Sequence, residues 1–122
     1  MNRLRITLYV QAVYLTVLGI LFLFLPGVAQ AAFGTTLPDH ALTPIYGQVL
    51  LVLAALAFLV ASGLPETLRV VWGFIFEQLG HVLVFGYLLM TGIQSFAQVG
   101  PPLIIAAIFL VLLLVFQSQA KA

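Results

Sequence analysis

Val70-Val71-Trp72-Gly73-Phe74-Ile75-Phe76-Glu77-Gln78-Leu79-Gly80-His81-Val82-Leu83-Val84-Phe85-Gly86 is the stretch on which the reading of the whole chain turns. Apart from Glu77, Gln78 and His81 it is apolar or glycine, and with its flanks it reaches the roughly 20 residues that a membrane-crossing helix needs. Glu77 and His81 stand four apart, so a helix places them on one face. A carboxyl and an imidazole side by side at membrane depth are expensive, usually face a bundle interior, and mark a site of function by default.

The composition says what surrounds such a run. Of 122 residues, 64% are hydrophobic and only 6% are charged. A soluble domain carries about 25% charged residues. With so few charges this chain could not cover its own surface in water, so the bilayer is expected to be its solvent. A net charge of +1 offers no basic field to nucleic acid. The lack of cysteine excludes disulfides, thiolate metal sites and cysteine nucleophiles. Met1-Asn2-Arg3-Leu4-Arg5, an apolar run and then Ala29-Gln30-Ala31 have the outline of a cleaved signal peptide. The run from Ile6 to Leu25 is, however, longer than the roughly 7–15 residues of a signal core. It also carries Tyr9, Gln11, Tyr14 and Thr16, so it is read as a retained first span.

Four apolar stretches are separated by turn residues, and the expected spans are 4–25, 44–64, 66–91 and 101–117. The first stops at Pro26-Gly27. The second opens with Thr43-Pro44, an N-cap followed by proline at the first helical position, and ends at Gly63-Leu64-Pro65. The third begins near Pro65-Glu66, with an acid in its first turn to match the helix dipole. The fourth follows Gly100-Pro101-Pro102 and is expected to be the shortest. In a four-span arrangement Arg3, Arg5, Arg69 and Lys121 fall on one side, and Asp39 and His40 on the other. The positive-inside rule then places both termini and the Leu64–Arg69 turn in the cytoplasm. The connection from Gly27 to Leu42 is the longest, and Val28 to Phe33 within it reads as a short interfacial turn.

Depth follows from the rise of about 1.5 Å per residue. Glu77 lies about 10 Å beyond the inner end of the third span and His81 about 6 Å further. Gln11 and Tyr14 of the first span reach similar depths, and Thr7, Gln11 and Tyr14 share a face. The expectation is that this stripe meets Glu77 and His81, since buried polar groups require hydrogen bonds. Ala54, Ala57 and Ala61 in the second span, with Gly73 and Gly80 in the third, suggest a close helix hairpin. Gly27, Gly34, Gly47 and Gly63 read as turn and helix-end residues. Tyr9, Tyr46 and Trp72 suit interfacial belts. The fourth span has no polar side chain between Leu103 and Phe116 and serves as a lipid-facing wall or a surface for another subunit.

The candidate polar site is therefore Glu77, His81, Gln11 and Tyr14. An ionised, isolated carboxylate in hydrocarbon costs roughly 3 kcal/mol, so a neutral Glu77/His81 pair is expected in preference to an ion pair, with no fixed cation at that depth. Such a pair can tie helices together, relay a proton or hydrogen-bond a quinone carbonyl. His81 is also a candidate axial ligand for haem or for the magnesium of a chlorophyll. Haem of this kind usually takes a second ligand, and the other histidine, His40, lies in the outer connection beside Asp39. Metal binding by Glu77 and His81 lacks the third protein ligand that catalytic zinc wants. No nucleophile motif or glycine-rich phosphate loop is present, and an enzyme is not expected.

Certain motifs are familiar. Leu8-Tyr9 and Tyr14-Leu15-Thr16-Val17-Leu18-Gly19-Ile20-Leu21-Phe22-Leu23-Phe24-Leu25-Pro26 resemble the first helix of small bacterial four-helix proteins of the DoxX-like and BphX-like group. Ile45-Tyr46-Gly47 is similar to a Tyr-Gly signature of related families of unknown function. Val71-Trp72-Gly73-Phe74-Ile75-Phe76-Glu77 looks like the BphX-like third helix, where a Glu follows a Trp at this spacing. The resemblance covers most of the chain and departs after Glu77, where Gly80-His81 stands in place of the group's usual Arg or Asp. It implies a four-helix integral membrane protein without an assigned activity.

The expected fold is thus all-α, an integral membrane antiparallel four-helix bundle with N- and C-termini cytoplasmic, forming one domain over residues 1–122. The expected function is that of a small accessory or binding protein of a bacterial cytoplasmic (inner) membrane. It would pack into a homo-oligomer or a larger membrane complex and turn its Glu77/His81 site toward helix 1. The alternatives are a cofactor- or quinone-holding subunit of an electron-transfer or photosynthetic complex, and a small proton-coupled transporter.

Overall fold

The computed structural model describes residues 1–25, 27–28, 42–93 and 95–121. The described residues form four long helices and no strand: α1 (Asn2–Phe24), α2 (Leu42–Ser62), α3 (Val71–Met90) and α4 (Phe96–Lys121), with a 3-10 turn at Leu68–Val70. All four helices are long and apolar enough to cross a membrane. Asp39, His40, Ala29-Gln30-Ala31 and most of the expected interfacial turn lie outside the described residues.

Sequence spacing explains why these helices suit lipid. On α1, Ile6, Val10, Val13, Val17, Ile20 and Phe24 are exposed, and their 4-3-4-3-4 spacing forms one stripe. Leu4, Leu8, Ala12, Leu15 and Phe22 form the buried stripe opposite. Both faces are apolar, the signature of a helix surrounded by hydrocarbon rather than of a soluble amphipathic helix. On α4, Ile104, Ile108 and Val111 are exposed while Ala106, Phe109 and Leu113 are buried.

The helix ends differ from expectation in ways the turn chemistry explains. Glu66 is not in a helical first turn: it stands exposed in the turn before α3. There the Thr67 hydroxyl donates to the Val60 carbonyl at 2.6 Å, and the Leu68 amide donates to the Pro65 carbonyl at 3.0 Å. These bonds close a compact connection, so α3 starts at Val71. Thr43 is not an N-cap, because α2 already begins at Leu42 and Pro44 falls within its first turn, where proline is tolerated. The fourth helix is the longest, with 26 residues, and contains Pro101 and Pro102. Both prolines follow the first helical turn, whose own amides have no intrahelical acceptor in any case; only the next two backbone bonds are lost. At the end of α3, Gly92 takes φ 72°, the left-handed conformation that glycine supplies at helix ends.

Packing is uneven along the helices. At one end all four meet in a core of Leu4, Leu8, Ala57, Ala61, Val71, Phe74 and Leu113, among others. Arg5 locks this end: its Nε donates to the Ala61 carbonyl at 3.1 Å and a terminal guanidinium nitrogen to the Leu64 carbonyl at 3.0 Å. A cation on the last carbonyls of a helix is favoured by the dipole, and such a charged hydrogen bond is worth about 1.5–3 kcal/mol. The other core, Leu15, Phe22, Leu50 and Ala54, comes from α1 and α2 alone.

The close helix hairpin is between α1 and α2, not between α2 and α3. A Cβ built on Gly47 would stand 2.5 Å from the Leu23 amide nitrogen and 2.9 Å from the Gly19 carbonyl oxygen. Gly47 is therefore a backbone contact point rather than a turn residue. The alanine stripe joins the same seam, whereas nothing comes within 4 Å of a Cβ placed on Gly73 or Gly80. α3 packs mainly along α4.

Candidate functional site

Glu77 and His81 lie near the middle of α3, where helical spacing sets them on one face, as their four-residue separation requires. His81 Nδ1 is 3.9 Å from Glu77 Oε1, beyond hydrogen-bond range. Instead, Nδ1 donates to the backbone carbonyl of Glu77 at 2.9 Å. A carbonyl can only accept, so Nδ1 carries the hydrogen, and in the neutral ring Nε2 is left as an acceptor. The Tyr46 hydroxyl donates to it at 3.2 Å. Both nitrogens of His81 are thus held, one by its own helix and one by α2.

Tyr46 is the residue that sequence reasoning missed. Its place near the start of α2 suits an interfacial belt, but its hydroxyl reaches across to His81. Its ring meets Phe22 edge-on, with centroids 5.4 Å apart and planes at 85°. Tyr46 is also within electrostatic reach of Glu77 and Tyr14. The available signal was the Tyr46-Gly47 pair: the missing side chain at 47 lets α2 lie against the α1 backbone and fixes where Tyr46 begins.

Glu77 is enclosed. Its side chain is 12% exposed, and neither carboxyl oxygen has a hydrogen-bond partner among the described residues. Tyr14, expected beside it, is half-buried and stacks at a tilt on Phe109 of α4, with centroids 5.8 Å apart. Phe85 lies 5.6 Å from the His81 ring. Glu77 thus stands beside one imidazole with committed nitrogens and within electrostatic reach of the Tyr46 phenol.

Gln11 is fully buried, and neither polar atom of its amide has a partner among the described residues. The expected hydrogen bond from Gln11 or Tyr14 to Glu77 or His81 does not form: the polar tie from α3 goes to α2 through Tyr46. Thr7, on the Gln11 stripe, spends its hydroxyl on the Arg3 carbonyl at 2.8 Å. Gln117, at the limit of the expected fourth span, is 2% exposed, and its amide nitrogen also has no partner among the described residues. Of the residues assigned to belts, Trp72 is exposed beside Phe76, and Tyr9 lies partly buried against Phe58.

Chemically, Glu77 can hold or release a proton, accept hydrogen bonds or balance a positive charge. His81 can do little until Tyr46 lets go of Nε2. Among the described residues no group of three His, Asp or Glu side chains gathers as metal ligands. No protein-family model, no curated protein and no solved structure matches the chain.

Proposed function

We propose that the chain is a small multi-pass membrane binding protein of a bacterial inner membrane, with the Glu77–His81–Tyr46 group as its binding element. It folds as an antiparallel four-helix bundle and keeps both termini cytoplasmic. Support for the bundle comes from its basic end. Arg5 near the start of α1 caps the end of α2, and a cleft there brings Met1, Asn2, Arg3 and Leu4 beside Phe116 and Gln119 of α4. Arg3, Arg5 and Arg69 belong to that end, which the positive-inside rule assigns to the cytoplasm. Membership of the DoxX-like and BphX-like group is part of this proposal and rests on the Tyr-Gly and Trp-to-Glu spacings.

One observation carries the binding role: an enclosed carboxyl, on a membrane-length helix, whose two oxygens have no partner among the described residues. An unpaired buried polar group costs about 1–3 kcal/mol by protein mutational data, and a purely structural tie would satisfy it. The arrangement also weighs among ligands. A haem or chlorophyll on His81 needs a free ring nitrogen, and both are occupied. A ligand addressed to Glu77 needs no such rearrangement. For assembly, α3 offers the most open face, with clear space at Gly73, Gly80 and Gly86.

Native mass spectrometry and an absorption spectrum of protein taken from its own membrane in mild detergent test this reading. The expected result is a co-purifying small molecule, second copy or partner chain. A bare, colourless monomer contradicts it.

A further inference from the structure

We propose that the cleft at the basic end of the bundle holds the phosphate headgroup of an anionic phospholipid. The site is distinct from the Glu77–His81–Tyr46 group, none of whose residues lines it. The cleft has a volume of about 330 Å³ and opens between the start of α1 and the end of α4, where Met1, Asn2, Arg3, Leu4, Phe116 and Gln119 line it. That volume is at the low end of small-ligand pockets, roughly 300–1,000 Å³. It admits a headgroup and leaves the acyl chains outside.

The side-chain charge in the cleft has one sign. Arg3 lines it and no carboxylate does. The two arginines of α1 are used differently. Arg5 is spent on the Ala61 and Leu64 carbonyls. Arg3 gives its backbone carbonyl to the Thr7 hydroxyl, while its exposed guanidinium has no ion-pair or hydrogen-bond partner among the described residues. A planar guanidinium can grip a phosphate through two parallel hydrogen bonds. Asn2 and Gln119, both exposed, add amide N–H donors from the two helices.

The surfaces that lead away from the cleft make the ligand a lipid. Arg3 heads the exposed stripe of α1: Ile6, Val10, Val13 and Val17 follow at 3-4-3-4 spacing on the same face. Gln119 heads a matching stripe on α4, where Val115, Val111, Ile108 and Ile104 follow at 4-4-3-4 spacing. Each polar lining residue therefore stands at the end of an apolar track, on a helix long enough to cross a membrane. Leu4, which is buried, and Phe116, which packs against the core, supply the apolar part of the lining. A phosphate against Arg3 with an acyl chain along each track uses all of these features. The choice of an anionic headgroup follows from the charge: a zwitterionic one would bring its ammonium beside Arg3 with no carboxylate to receive it. Basic pockets between membrane helices favour anionic headgroups, by about fivefold in affinity per arginine.

Native mass spectrometry of the full chain in mild detergent is the test, with phosphatidylglycerol and phosphatidylcholine of the same acyl chains titrated separately. The expected result is saturable binding of phosphatidylglycerol, at least about fivefold tighter than phosphatidylcholine, with a loss of about that factor in Arg3→Gln. Arg3→Lys, which keeps the charge, should retain the preference for phosphatidylglycerol. Arg69→Gln removes a charge from an exposed position at the same end but outside the lining, and should bind as the parent does. Inorganic phosphate in large excess should not displace the lipid. Equal affinity for the two lipids overturns the proposal, as does phosphatidylglycerol binding that Arg3→Gln leaves unchanged. Equal losses in Arg3→Gln and Arg69→Gln, the result a diffuse basic field would give, also overturn it. Displacement by inorganic phosphate overturns the lipid as occupant and makes the cleft a site for the free anion.

Discussion

The two ends of this molecule are built differently. At the basic end α1, α2, α3 and α4 all contribute to one core, and Arg5 fastens the start of α1 to the end of α2. Toward the other end only α1 and α2 share a core, sealed at Gly19 and Gly47. α3, whose core residues are Val71, Phe74 and Ile75 from its first turns, continues past that core and belongs to the least buried of the four candidate spans. Glu77 and His81 lie beyond that last core residue. The contrast teaches a division of labour: the basic end supplies stability, with unpartnered amides at Gln11 and Gln117 inside its packing, and the half where packing thins carries Glu77 and His81.

The comparison breaks most severely if the basic end is hollowed. Leu8 is fully buried there, and Leu8→Ala should cost about 2–5 kcal/mol in denaturant unfolding in micelles. Leu83→Ala, on an exposed position of α3, should cost far less. Equal losses would mean that the two ends are held alike.

The next effect sharpens the α1–α2 seam against α3. Gly47→Ala puts a methyl into backbone, and overpacking of this kind costs about 1–3 kcal/mol. Gly80→Ala meets open space and should be neutral or slightly stabilising, since alanine is the better helix former. The reverse ranking, in the same unfolding measurement, would place the tight helix pair at α2–α3 after all.

The smallest effect concerns the polar tie. Tyr46→Phe removes the hydroxyl that reaches His81 and should cost about 0.6 kcal/mol, the average for hydrogen bonds between membrane helices. Nitrogen NMR of labelled His81 gives the clearer reading: Nε2 should lose its donor while Nδ1 keeps its hydrogen. An unchanged spectrum would remove Tyr46 from the site.

Much of this was legible in the sequence. The low charge and four apolar runs announced four membrane-length helices, and the four-residue spacing put Glu77 and His81 on one face. What was not legible depends on rotation about the helix axes. Both faces of α1 are apolar, so hydropathy could not say that Leu4, Leu8 and Ala12 turn inward while Ile6, Val10 and Val13 turn outward. The same ambiguity directed the alanine stripe of α2 toward α3 instead of α1. Tyr46 suits an interfacial belt by the position of its backbone near the start of α2, whereas a tyrosine side chain carries its hydroxyl well away from its own Cα. Pro101-Pro102 suggested a helix start; the helix begins one turn earlier because only the bonds following its first turn are lost.

The most direct test of the central claim compares two carboxyls by carbodiimide labelling in native membrane vesicles. Glu66 is exposed in the turn before α3, and Glu77 is enclosed within its span. The account predicts that a lipophilic carbodiimide modifies Glu77, while a water-soluble carbodiimide with an added amine modifies Glu66 and leaves Glu77 untouched. Rapid modification of Glu77 by the water-soluble reagent would place it in an aqueous environment and contradict the account.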